Sequence, residues 1–104
     1  MTDKRIVLST AGSQAEAEKI AQALVERGIA ACVNVVPVHS VYRWQGKVES
    51  AAEFLLIIKT TAARYAQVET AIRELHSYDL PESVQIPIEA GSDKYLEWIA
   101  DSVK

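Results

Sequence analysis

The stretch from Ala30 to Thr61, AACVNVVPVHSVYRWQGKVESAAEFLLIIKTT, limits what this chain can fold into more than any other. Both halves are rich in Val, Ile, Tyr, Trp and Phe. Gln45-Gly46 between them is the one turn-forming point, because glycine adopts positive φ without steric cost. The stretch therefore reads as a long β-hairpin whose register is fixed at that turn. Arms of about 14 residues, rising about 3.3 Å per residue, would extend about 45 Å. A compact domain of this length has a radius of gyration of about 13 Å, so the hairpin must project from its own globule.

On the projecting part Val38, Val41, Tyr42, Trp44 and Val48 form an apolar ribbon of a kind that soluble monomers avoid. Burial against a partner chain is the expected remedy. Side-chain parity points the same way: Ala31, Val33 and Val35 share one face, whereas beyond Pro37 the apolar set passes to Val38, Tyr42 and Trp44 on the other. A bulge or sharp twist at Pro37 is the expected cause, since proline cannot donate to a ladder. Phe54 to Ile58 is apolar on both faces, as in a central strand covered on both sides. An oligomer whose sheets interlock through the hairpins follows.

The flanking segments complete the pattern. Arg5 to Ala11 reads as a short strand, and a helix follows with Ser13 and Glu16 as a capping box, Ala17, Ile20, Ala21 and Leu24 at helical spacing, and Gly28 as its stop. After the hairpin, Thr60 or Thr61 is the expected cap of a second helix with Tyr65, Val68, Ile72 and Leu75 on one face. A loop from Ser77 to Glu82 leads to a strand over Ser83 to Glu89, with Val84, Ile86 and Ile88 inward and Pro87 at an edge. Gly91-Ser92 then opens a last helix, Asp93 to Val103, with Tyr95, Leu96, Ile99 and Val103 available for docking. The order βαββαβ plus a terminal helix makes residues 1–104 a single α+β domain, a ferredoxin-like split sandwich with an extended central hairpin.

Composition excludes several classes. With 49% hydrophobic residues the chain can bury a core. A net charge of −3 argues against tracking nucleic-acid phosphates or an anionic membrane. The N-terminus MTDKRIVLST lacks the apolar region of a signal peptide, and no run reaches the roughly 18 apolar residues of a membrane span. One cysteine allows no disulfide within the chain, so a cytoplasmic home is expected.

Five segments in order, LVERGIAACVNVVP from Leu24, SVYRWQGKVE from Ser40, IIKTT from Ile57, HSYDLPES from His76 and YLEWI from Tyr95, resemble the CutA divalent-cation tolerance proteins over essentially the whole chain. The resemblance implies a ferredoxin-like protomer, a homotrimer in which the long hairpins pair between subunits, and an association with copper and other divalent cations. Two positions depart from the family pattern: Ser77 stands where a proline is usual, which would loosen that loop, and His39 where a small residue is more common.

Two sets of candidate site residues follow. For metal, Cys32 is the only thiol and His76 closes a helix, and copper favours sulfur and imidazole. The bland alternatives are a small buried hydrophobe for Cys32 and a helix-end imidazole for His76. No CxxC or HExxH spacing is present, so a closed metal site needs several subunits. For a ligand, Lys59, Tyr78, Asp79 and Glu82 are expected to converge on a cleft between subunits, with Trp44 and Tyr42 from another subunit's hairpin as walls. A purely structural joint anchored by Trp44 is the competing account.

Enzymatic readings fare worse, because no nucleophile is paired with a base and no phosphate-cradling glycine loop is present. A non-enzymatic, metal-associated binding protein is the first expectation. The second is a trimeric signalling or scaffold module resembling the PII regulators, with a small metabolite bound between subunits. Any protein partner is unspecified by the sequence.

Overall fold

The computed structural model describes residues 2–104. Strand β1 spans Lys4–Ala11, helix α1 Gln14–Glu26, β2 Cys32–Trp44, β3 Lys47–Thr61, α2 Tyr65–Leu75, β4 Val84–Pro87 and α3 Asp93–Ser102. The four strands form one sheet in the order β2-β3-β1-β4, with every neighbouring pair antiparallel. The result is a small α+β fold.

Register explains which residues face which layer. Val7, Ser9 and Ala11 of β1 lie opposite Ile58, Leu56 and Phe54 of β3. This face is covered by α1 through Ala17, Ile20 and Leu24 and by α2 through Val68, Ala71 and Ile72, all buried in one core. The other face carries Ile6, Leu8, Leu55 and Ile57, only half-buried. There α3 packs on β3 and β1, sealing Ile99 while leaving Tyr95 and Trp98 exposed. Phe54 to Ile58 is thus central in the sheet, but its second face is only partly covered.

The hairpin is continuous. Thirteen residues of β2, Cys32 to Trp44, pair with Lys59 to Lys47 without interruption. Pro37 sits opposite Phe54 with no residue inserted, so the expected bulge is absent. β2 is an edge strand, and an edge tolerates a missing N–H. The turn is Gln45-Gly46 with φ of 50° and 80°, the left-handed pair that a two-residue hairpin requires. The longest extent of the protein is 44 Å against 25 and 22 Å for the others.

Beyond Phe54, β3 loses its second neighbour, because β1 ends at Ala11 opposite that residue. From Glu53 to Lys47 the hairpin is a two-stranded ribbon with an open backbone edge. It is held to the domain at one end only.

Local chemistry departs from expectation at three points. Ser13 Oγ accepts the Glu16 N–H at 3.1 Å, the first half of a capping box, but the Glu16 carboxylate accepts the Ser77 N–H and hydroxyl, each at 3.0 Å. The loop at Ser77 is therefore tethered through an N–H that a proline would lack, rather than loosened. Neither threonine caps α2 with its side chain: Thr60 is buried and donates to the Ile29 carbonyl at 2.6 Å, while Thr61 precedes a short 3₁₀ turn, Ala62–Arg64, without a capping bond. Strand β4 is only four residues long, and Val84 and Ile86 are exposed rather than inward, because they pair with Leu8 and Ile6 on the less covered face. By contrast Ser92 caps α3 as expected, accepting the Tyr95 N–H at 3.3 Å.

The turn provides a clean test. No atom lies within 4 Å of where a Cβ on Gly46 would sit, so Gly46→Ala changes only the backbone cost of positive φ. A loss of about 1–2 kcal/mol in chemical denaturation is expected, and unchanged stability would contradict this turn geometry.

Candidate functional site

The place where β3 leaves the sheet is also where polar groups gather. His76 follows α2, and its ring is buried against the end of β1. Its Nδ1 accepts the Tyr78 N–H at 3.1 Å, which leaves Nε2 to carry the proton and donate to the Thr10 carbonyl at 2.6 Å. The imidazole also rests against the Tyr78 ring, with centroids 4.6 Å apart. This makes His76 the post that orients the following residue.

Tyr78 is carried past Gly12, where a Cβ would stand 3.1 Å from its hydroxyl oxygen. Beyond that close approach the hydroxyl donates to Glu53 Oε2 at 2.6 Å. Glu53 is the first residue of β3 without a β1 partner, yet it is 7% exposed. Burial first, and then the bond to the Glu53 carboxylate, push the Tyr78 phenol well above its ordinary range, because both disfavour a second negative charge there.

A cleft of about 740 Å³ opens beside this pair. One wall is the chain's own hairpin, contributing Ser40, Tyr42 and Trp44, and the other is the loop with Tyr78, Asp79 and Glu82. Within one chain the aromatic wall comes from its own Tyr42 and Trp44. Lys59 does not reach the cleft. It lies opposite Cys32, six residues or about 20 Å of strand from Glu53, and its ammonium donates to Asn34 Oδ1.

The two candidate metal ligands are not brought together within the chain. Cys32 lies opposite Lys59, whereas His76 sits on Thr10, whose β3 partner Leu55 is four residues, about 13 Å, away. The Cys32 thiol is half-buried, 4.0 Å from the Lys59 ammonium and 3.9 Å from Asn34 Oδ1. Both ring nitrogens of His76 are engaged, so it cannot ligate a metal without giving up those bonds. His39 is exposed on the hairpin. Among the described residues no group of three or more His, Cys, Asp or Glu could hold a metal ion.

The profile of the CutA1 divalent ion tolerance protein family matches residues 5–102. The chain belongs to that family. It is 44% identical over 95 residues to the divalent-cation tolerance protein CutA of Archaeoglobus fulgidus, covering 91% of this chain and 93% of the relative. With the Thermus thermophilus CutA it shares 43% over 100 residues, 95% of this chain and 97% of the relative. Among solved structures, the periplasmic CutA of Archaeoglobus fulgidus superposes with a TM-score of 0.95 at 42% identity, covering 97% of this chain and 99% of that one. CutA of Xylella fastidiosa gives 0.96 at 38% identity, with 99% and 100% covered.

Sequence reasoning placed Tyr78, Asp79, Glu82, Trp44 and Tyr42 but missed Glu53. Its signal was present: a lone carboxylate opens the apolar run EFLLII, on the strand parity of Leu55 and Ile57. The sign of the Tyr78 shift gives a test. A phenol whose folded-state pKa is raised contributes stability in full below the ordinary tyrosine value of about 10, and loses it as pH climbs past that value. In an alkaline titration followed by tyrosinate absorbance, Tyr78→Phe should remove a late-titrating phenol; loss of an early one would contradict the buried bond to Glu53.

Proposed function

We propose that this CutA-family chain serves divalent-cation tolerance, towards copper among others, as a non-catalytic binding protein. It works as a homotrimer of single-domain, ferredoxin-like protomers whose hairpins pair between subunits. The observation that carries the assembly is the bare apolar surface. Val36, Tyr42, Trp44, Val84 and Ile86 are between 38% and 48% exposed, and by register all five share the less covered face. An open backbone edge along residues 47–53 accompanies them. Such an edge beside apolar side chains favours strand addition by another copy. The antiparallel order β2-β3-β1-β4 supports the ferredoxin-like assignment, and the number three comes from the family resemblance.

The donors within one protomer do not fit a metal, since an ammonium flanks the only thiol and the buried imidazole is fully engaged. Metal binding by this protein therefore draws on donors from more than one subunit, with Cys32 as the remaining thiol candidate. Among the described residues no helix is long and apolar enough to cross a membrane. A solitary thiol supports a reducing, cytoplasmic setting, although one CutA relative is described as periplasmic and another, from Arabidopsis thaliana, as chloroplastic.

Light scattering on the purified protein should give three times the 11.4 kDa protomer mass. Val41→Asp with Trp44→Asp should dissociate it and lower its heat resistance; a double variant that stays trimeric and equally heat-resistant would refute interlocking hairpins. In copper titrations, Cys32→Ala should weaken binding, whereas His76→Ala should lower the melting temperature and leave copper affinity unchanged. The reverse pattern would return His76 to the metal site.

A further inference from the structure

We propose that His76 is a proton-operated latch on the loop of residues 77–82, holding Tyr78 in place while neutral and releasing it when the imidazole takes up a proton.

The ring lies where α2, β1, α1 and the loop meet, and its side chain is wholly buried. From β1 the Thr10 carbonyl accepts the Nε2 proton at 2.6 Å. From the loop the Tyr78 N–H donates to Nδ1 at 3.1 Å, and the Tyr78 ring rests on the imidazole with centroids 4.6 Å apart. From α1, Glu16 Oε1 stands 4.0 Å from Nδ1, the one carboxylate within that distance of the ring among the described residues. Glu53 of β3 stands behind Tyr78, bonded to its hydroxyl at 2.6 Å. On α2 itself Arg73 is paired with Glu69, and Glu74 and, in the loop, Asp79 are exposed.

An imidazole nitrogen accepts a hydrogen bond only while it carries no proton. Nδ1 is that nitrogen here, so proton uptake sets a new N–H against the Tyr78 N–H, two donors with no acceptor between them. A buried imidazolium also needs a counter-charge, and Glu16 supplies it. Closing the 4.0 Å gap draws Oε1 from the Ser77 hydroxyl, which it accepts at 3.0 Å. One proton thus loosens both tethers of the loop, Tyr78 on His76 and Ser77 on Glu16. The Tyr78 hydroxyl then leaves Glu53, and the flank of β3 where the hairpin departs is uncovered. The latched loop belongs to neutral pH and the released one to acid.

Proton–nitrogen NMR of the purified, isotope-labelled protein from about pH 8 to about pH 5, the range in which imidazoles change charge, tests the latch. The His76 ring nitrogens and the Tyr78 amide should shift with one midpoint. Exchange of the Tyr78 amide, corrected for its intrinsic pH dependence, should rise about fivefold or more below that midpoint. His76→Asn keeps an acceptor for the N–H two residues on, as in an Asx turn, but takes up no proton, so its Tyr78 amide should stay protected throughout. Glu16→Gln removes the counter-charge and should move the transition about one unit lower in pH. His39→Gln removes the other imidazole and should change nothing. Ring nitrogens that stay neutral to about pH 5, or a Tyr78 amide indifferent to their protonation, would overturn the latch. A transition that persists in His76→Asn would overturn it too, and assign the acid response to Glu16 or Glu53. Should His76→Asn fail to fold, an unmoved midpoint in Glu16→Gln would contradict the exchange.

Discussion

The structure depends on a ladder that outlasts its sheet. β2 and β3 pair through thirteen positions, but β1 accompanies β3 only as far as Phe54. Up to that point the hairpin is anchored by a core of Val7, Leu56, Ile58, Ile20, Leu24 and Ile72. Beyond it, two strands stand without a third layer, an arrangement that has little stability of its own in water. The tip also presents Tyr42 and Trp44 on one side and Val41 and Val48 on the other. On the proposed assembly another copy covers this ribbon, and folding and association are then coupled by mass action.

The same discontinuity creates the site. Where β1 stops, the chain turns away through Gly12, and the vacated flank of β3 is taken by Tyr78. His76 sets that residue in place through its two ring nitrogens, and Glu16 holds Ser77 from α1. A buried carboxylate, a tethered phenol and the aromatic side of the hairpin thus meet at the one boundary between anchored sheet and projecting arm. Cys32 and Lys59 lie at the opposite end of the ladder and belong to a separate environment.

Much of this was legible in the sequence because it is local. The Gln45-Gly46 turn fixes register by itself, and register fixes every facing pair along both arms. Failures came where tertiary contacts override a local preference. Thr60 reads as a cap but is drawn into the core by the Ile29 carbonyl, and Glu16 leaves its capping position for Ser77, 61 residues away. Pro37 reads as a bulge but is accommodated at an edge. Val84 and Ile86 read as inward because alternation identifies a face without saying whether the same chain covers it. Glu53 was missed for a related reason, since its burial is made by a loop residue 25 positions on.

Backbone hydrogen exchange along the hairpin tests the coupling of fold and assembly most directly. If copies of the chain cover the ribbon, the amides of residues 47–53 that face away from β2 are protected as strongly as those of Leu56 and Ile58 in the anchored sheet. Rapid exchange of those amides, at the rate of an open edge, with the core fully protected, would show a hairpin that stands free and would contradict the account.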